Sequence, residues 1–390
     1  MRLKEKSGTE QKESAAGGRA GKVLVTGGAG YAGSVLVREL LLNGYEVRVF
    51  DRMYFGDGGL AAIRDKIEVV AGDIRSMDPS VLDGVDAVVH LAGLYNELTA
   101  LGDSGANYQT NTNATAALAC LCKGKGVRRF VFASSCAVYH SSGRMNPEEL
   151  LDEEAELSPK AGFARAKLEA EKLLLDMADD RFCPVILRKG TLFGFSPRMR
   201  YDLLVNTFLR DALARGRMNL HSRGEMWRPS LEVRDAARAY IACLAAPEEA
   251  VRAQVFNAAR NNYRVSEVAL RVHQALMAGG ERAEIGMAQG HTDVCNYRVS
   301  CDKIKRVLGF VPEVSLEESV ANMLLEIRAA HFTDFDNPRY SNLKWIQLLL
   351  EAERIVALAG SVLEGERSAS GKRRAEKARA AGAREPAARS

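Results

Sequence analysis

No stretch of this chain approaches the ~18 consecutive apolar residues of a membrane span, and its first twenty residues are polar, without the apolar core of a signal peptide. Cysteine is scarce and unpatterned. The seven residues, at 120, 122, 136, 183, 243, 295 and 301, fit neither a disulfide framework nor a paired zinc-ligand spacing. A reducing, cytoplasmic setting is therefore expected, and no metal. Cys120 and Cys122 fall in an Ala/Leu-rich helical segment without a second ligand pair, which assigns them to packing. A surplus of one charge is also missing from most of the chain. The 390 residues carry +4, but residues 366–390 hold eight basic and three acidic side chains, so the remainder has a net charge of −1. That argues against a general nucleic-acid or membrane-binding surface and confines basic character to the tail. No internal repeat is visible. What is present, 47% hydrophobic and 27% charged residues, describes an ordinary globular chain able to bury a large core.

The short apolar run Lys22-Val23-Leu24-Val25 leads into Thr26-Gly27-Gly28-Ala29-Gly30-Tyr31-Ala32-Gly33, and a helix-like segment, Ser34 to Leu41, follows. A glycine-rich turn between strand and helix lets the backbone approach a pyrophosphate, while the unpaired amides and dipole of the helix N-terminus hold its negative charge. An acid, Asp51, ends the next strand-like run, close to the ~20-residue separation expected of a ribose ligand. Such a carboxylate accepts both ribose hydroxyls and repels a 2′-phosphate. NAD is thus favoured over NADP, with the adjacent Arg52 as the one feature pointing the other way.

Strand-like and helical stretches then alternate as an α/β fold requires. Strands are expected at 22–25, 46–50, 67–70, 87–90, 129–133 and 184–188, several of them nearly continuous apolar runs suited to parallel strands covered on both faces. Helices are expected at 107–122 and 163–177, and beyond Gly190 at 202–215, 233–245, 265–277 and 316–330. This gives a polar, disordered segment at 1–21, a dinucleotide-binding domain at 22–189, and a smaller, mainly substrate-binding lobe at 190–330. A linker and helix at 331–365 and a disordered basic tail at 366–390 complete the chain.

At the end of the fifth expected strand a hydroxyl cluster, Ser134-Ser135, precedes Cys136-Ala137-Val138-Tyr139. Downstream, Phe163 and Lys167 stand four apart on one helix face. With these residues the chain resembles the extended short-chain dehydrogenase/reductases of the nucleotide-sugar epimerase/dehydratase group, over about residues 22–330. The likeness is carried by Thr26–Gly33, Gly72-Asp73-Ile74, His90-Leu91-Ala92-Gly93, Asn111 with Ala114-Thr115, Ser134-Ser135 before Val138-Tyr139, and the place of the Y-x-x-x-K signature. It implies a Rossmann-type doubly wound parallel sheet with a smaller C-terminal substrate-binding lobe, NAD as cofactor, a nucleotide-sugar substrate and a homodimer. By the same resemblance, Gly27, Gly30, Tyr31, Ala32, Gly33 and Asp51 hold the dinucleotide. Asp73 and Ile74 flank its adenine, Leu91, Ala92 and Gly93 line its channel, and Asn111 approaches it from a helix. Ser135 orients the reacting hydroxyl. Lys167 holds the nicotinamide ribose and lowers the pKa of a catalytic tyrosine. Tyr95, Ser135, Thr191 and Arg228 are the expected substrate contacts.

The tyrosine itself is missing: position 163 is Phe, which keeps the shape but can neither accept nor donate a proton. Three readings are open. Phe163 is an introduced replacement, or another group handles the proton, or the chain binds without turnover. Tyr139, Tyr95, His140 and Cys136 are the candidate substitutes, and the sequence singles out none of them. A second departure concerns the reaction. Dehydratases of the group carry Asp-Glu directly after the Ser/Thr, where this chain has Cys136-Ala137, so transient oxidation with epimerisation is favoured over dehydration. A reductase or decarboxylase, and a non-catalytic NAD-binding regulatory protein, are the alternatives.

Overall fold

The near-continuous apolar runs become parallel strands because both faces of each are covered. A computed structural model describes residues 21–94, 104–139, 149–159, 161–288 and 296–358. In chain order the first elements are β1 (Lys22–Thr26), α1 (Tyr31–Leu42), β2 (Glu46–Asp51), β3 (Glu68–Ala71) and β4 (Ala87–His90). A short helix α2 (Ser104–Tyr108) passes through one π-helical stretch, Gln109–Asn113, into α3 (Ala114–Lys125). There follow β5 (Arg129–Ser135), β6 (Leu150–Leu151), α4 (Gly162–Asp176), β7 (Cys183–Lys189) and β8 (Thr191–Phe193). The second lobe contains α5 (Leu204–Arg215), β9 (Arg217–Leu220), β10 (Trp227–Glu232), α6 (Val233–Ala245), α7 (Glu248–Val251), β11 (Gln254–Ala258) and β12 (Asn261–Arg264). After these come α8 (Val265–Ala278), β13 (Glu284–Met287), β14 (Arg298–Val299), α9 (Asp302–Leu308) and α10 (Leu316–Ala329).

The main sheet has seven strands in the order β11-β7-β5-β4-β1-β2-β3, every neighbouring pair parallel. This is the Rossmann-type arrangement, with the order reversing direction on either side of β1. Strand alternation divides the core in two. Val23, Val25, Val89, Val131 and Val185 pack with α1 and α6, while Leu24, Val88, Phe130, Phe132 and Ile186 pack with α3 and α4. The seventh strand, β11, is drawn from far beyond β7 and lies beside it, so the expected second lobe also contributes to the first sheet. A smaller sheet, β12-β10-β8, stands beyond the carboxyl end of β7.

The two lobes are stitched together over the start of α1. The Tyr31 hydroxyl donates to Gly194 O at 2.7 Å, and the Ser196 hydroxyl donates to Tyr31 O at 2.7 Å. The segment after α10 folds back across the same loop. Phe332, Phe335 and Tyr340 pack around Tyr201 with ring centroids 5.4–5.7 Å from it, and Trp345 Nε1 donates to Tyr54 O at 2.6 Å. The aromatic stretch read as a linker is thus a packed strap, and the helix that follows it begins on the chain's own surface. Among the described residues no helix is long and apolar enough to cross a membrane.

Candidate active site

The strand–turn–helix unit places its glycines where side chains do not fit. Gly27 has φ +73°, and a Cβ on it would stand 2.7 Å from Ala92 N; one on Gly33 would stand 2.2 Å from Gly27 O and 2.6 Å from Gly28 Cα. The turn is therefore pressed against the loop after β4 and against its own helix. Helix α1 begins at Gly30 with no side-chain cap, so its first-turn amides, including those of Tyr31, Ala32 and Gly33, are left for an external acceptor. The Tyr31 side chain is committed elsewhere, to Gly194, and burial pushes its hydroxyl pKa up.

Asp51 closes this turn from the end of β2. Its carboxylate accepts the amides of Ala29 at 3.0 Å and Met53 at 2.8 Å, and burial raises its pKa against those two hydrogen bonds. Arg52 does not face the same way. It pairs with Asp73 at 2.5 Å and lies 4.7 Å over the Tyr54 ring. Asp73 is also gripped by Arg75 at 2.6 Å, which holds its carboxyl below the usual range. Ile74 beside it is buried. A glycine-floored turn, an uncapped helix and an acid with lone pairs to spare fit a dinucleotide without a 2′-phosphate.

The next expected site residues lie along the ends of β4 and β5. His90 is buried between the hydroxyls of Thr26, 2.6 Å from Nδ1, and Thr115, 2.9 Å from Nε2; burial, helped by the charge of Lys167, lowers its pKa to about 3. Leu91 and Ala92 follow, the Leu91 amide donating to Thr26 O at 3.0 Å. Asn111, in the π-helical stretch, clamps Leu94 from both sides: its Oδ1 accepts the Leu94 amide at 2.9 Å and its Nδ2 donates to Leu94 O at 2.7 Å. The wider π turn presents this amide laterally, a recurrent use of such stretches. Gly93 lies against the lysine: a Cβ there would stand 2.5 Å from Asn111 Oδ1 and 3.5 Å from Lys167 Nζ.

Lys167 and Phe163 are both buried on α4. The Lys167 ammonium lies 4.5 Å over the Phe132 ring and 6.0 Å from the Phe163 centroid. Burial, reinforced by the charge of Lys189, lowers its pKa to about 7. Ser135 stands at the tip of β5, its hydroxyl accepting the Ala137 amide at 3.2 Å. Thr191 pairs in register with Ser230 on β10, two residues from Arg228, whose guanidinium lies 3.3 Å from Trp227 O. Tyr95 and His140 lie outside the described residues.

Two of the candidate proton carriers are excluded by their surroundings. The Tyr139 hydroxyl donates to Asn257 at 2.8 Å and accepts from Arg188 at 2.9 Å, and burial raises its pKa. Cys136 is fully buried, its thiol turned to Arg188 O at 3.2 Å, and burial holds its pKa well above the ordinary thiol value. Both belong to a polar core centred on Glu171, which pairs with Arg188 at 2.7 Å and accepts from Ser134. Sequence reasoning missed one group here. Lys189, at the end of β7, donates to Ser134 O at 3.0 Å, and burial lowers its pKa to about 8. Its signal was a lysine directly after Arg188 at the tip of a strand.

Residues 23–259 match the family model described as the NAD dependent epimerase/dehydratase family. The chain is 27% identical over 325 residues to a UDP-N-acetyl-alpha-D-glucosaminuronate decarboxylase of Bacillus cytotoxicus, covering 77% of this chain and 95% of that protein. It is 34% identical over 204 residues to UDP-glucose 4-epimerase 4 of Oryza sativa subsp. japonica, covering 47% of this chain and 52% of that one. Among solved structures, MoeE5 in complex with UDP-glucuronic acid and NAD superposes with a TM-score of 0.68 at 26% identity, over 80% of this chain and all of that one. A family model that spans more than half the sequence, over the glycine-rich turn, Ser135 and Lys167, places this chain in the NAD dependent epimerase/dehydratase family of nucleotide-sugar enzymes.

Proposed function

We propose that the chain is a nucleotide-sugar epimerase that works by transient oxidation to a keto-sugar. NAD, held by the turn, Asp51 and Lys167, supplies the hydride acceptor and donor. The chain's own residues bind and orient. Ser135, at the strand tip, hydrogen-bonds the sugar hydroxyl that is oxidised, and Lys167, beside Gly93, holds the cofactor ribose. Thr191 and Arg228, on one small sheet beyond the tip of β7, face the diphosphate. Phe163 fills the position of the proton-transferring phenol with a ring that transfers nothing, so turnover is slow unless another group carries the proton. The observation that carries the choice of reaction is the pair Cys136 and Ala137. Neither is a carboxylic acid, and the thiol is sealed in the core, so the acid and base that elimination of water requires are lacking there.

Decarboxylation is the second reading, favoured by the decarboxylase relative that aligns over 95% of its own length. Release of carbon dioxide from a uronic-acid nucleotide separates the two. The direct test of the first is Phe163→Tyr assayed on a panel of UDP- and dTDP-sugars. The expected gain in kcat is roughly 10²-fold on at least one of them, the yield of a positioned acid/base. No gain with any sugar would count against an epimerase limited at position 163.

A further inference from the structure

Position 163 leaves a proton without a carrier, and the strand tips beside it hold an amine. β5 and β7 run in register to their ends, Ser134 opposite Arg188 and Ser135 opposite Lys189. Side chains at paired positions share a face. Ser134 and Arg188 accordingly meet on Glu171 beneath α4. Ser135 and Lys189 take the other face at the carboxyl edge of the sheet, where ligands bind in this architecture. Lys189 turns back over the tip of β5 to reach Ser134 O at 3.0 Å, and it stays partly exposed. Its amine is therefore anchored beside the hydroxyl that orients the reacting oxygen.

We propose that Lys189 is the proton carrier of this site, doing through its amine what a phenol at position 163 would do. The inference rests on the epimerase reading. In the oxidation step the sugar O–H bond breaks and its proton goes to the lone pair of neutral Lys189 Nζ. The adjacent C–H bond gives its electron pair, as hydride, to oxidised NAD, and the carbon–oxygen double bond forms. In the return step the hydride re-enters from the other face of the sugar carbon and the ammonium gives the proton back to oxygen, so nothing is consumed.

The other titratable groups are held in other duties. His90 is fixed between two threonines, Glu171 is saturated by Arg188 and Ser134, and Lys167 lies beneath Gly93 over the Phe132 ring. The groups that face Lys189 are the cations Lys167 from α4 and Arg200 from the loop after β8, with the neutral thiol of Cys136 after β5; Arg188, on its own strand, is neutralised by Glu171. Two cations and a buried thiol leave the amine with no carboxylate partner among them. Burial, aided by the Arg200 charge and opposed by Cys136, lowers the Lys189 pKa to about 8.

The test uses the full chain. Competitive acetylation with acetic anhydride across pH, read by peptide mass spectrometry, should show Lys189 half-reactive near pH 8 and protected by NADH together with UDP. A profile like that of an exposed lysine, or no protection, would overturn the assignment. In turnover, Lys189→Met and Lys189→Arg should each lose at least about 10²-fold in kcat while NADH affinity stays within about threefold. The arginine variant keeps charge and a hydrogen-bond donor but cannot deprotonate, so its loss is not one of folding. Adding Phe163→Tyr to Lys189→Met should restore turnover and remove the fall in kcat/KM below about pH 8 that a base required in its neutral form imposes on the unaltered chain. Retained activity in Lys189→Arg sinks the proposal. Inactivity of both the unaltered chain and Phe163→Tyr on every nucleotide sugar instead sinks the epimerase reading, and the labelling profile then judges Lys189 by itself.

Discussion

At one end of the expected site, the glycine turn after β1, glycines and backbone amides set the geometry, whereas at the other, where β5, α4 and β7 meet, it is set by buried charged side chains. The first end is made of contiguous residues, Thr26 to Gly33, closed by one acid from β2, and its fit depends on the absence of side chains. The second is assembled from β5, α4 and β7, and its centre is a sealed ion pair, Glu171 with Arg188. The contrast teaches where each end tolerates change. A backbone cradle fails when an atom is added, and an ionic core fails when a charge is removed.

The largest effect should come from adding one methyl group to the cradle. Gly33→Ala puts a Cβ 2.2 Å from Gly27 O and 2.6 Å from Gly28 Cα, both backbone, so no side chain can swing away. NAD affinity should fall by roughly 10³-fold, about 4 kcal/mol, in titration calorimetry. Gly124→Ala is the control. It lies in α3 with nothing within 4 Å of its would-be Cβ, and binding should be unchanged. If both variants bind alike, the close approach does not set the site.

Removing a charge from the other end is next. Glu171→Ala leaves Arg188, with side-chain exposure of only 5%, as a buried cation without its partner. The expected cost is about 3–5 kcal/mol in urea unfolding. Ser134 loses its Glu171 partner, while Tyr139 keeps its bonds to Asn257 and Arg188 and the glycine turn is untouched, so NAD affinity should fall less than stability does. An equal loss of both would erase the distinction between the two ends.

The same contrast explains what was legible in the sequence. The turn and Asp51 were readable because strand, glycines, helix and acid follow one another within about thirty residues, and the six expected strands of the main sheet appear within one or two residues of their places. Val233–Ala245 is recovered at both ends. What could not be read depends on pairing between distant segments. The entry of β11 beside β7 and the anchoring of Lys189 on Ser134, 55 residues away, exist only once the sheet has formed. Tyr139 stood undecided among four candidate proton carriers because Arg188 and Asn257, which lock it, are 49 and 118 residues off. The aromatic stretch 332–340 read as a linker for the same reason: its partner Tyr201 is remote in sequence.

His90 joins the two ends, and its titration gives the smallest and sharpest prediction. One ring nitrogen faces the Thr26 hydroxyl of the cradle and the other faces Thr115 on α3, while the ring packs 5.8 Å from Phe132, over which Lys167 lies. Burial first, and the Lys167 charge second, lower its pKa from 6.5 to about 3. In the unfolded chain the imidazole takes up a proton below 6.5; in the native state it stays neutral until about 3. The unfolded state therefore binds more protons across that window, and stability falls as pH drops through it. Between pH 7 and pH 5 this one group should remove about 2 kcal/mol. His90→Gln abolishes that contribution whatever it costs at pH 7, so the difference in unfolding free energy between the two pH values should shrink by about 2 kcal/mol in urea titrations. An unchanged difference would mean that the native imidazole protonates with the unfolded one. The seam between cradle and ionic core would then be open to water, and the two ends could not be treated as separately built.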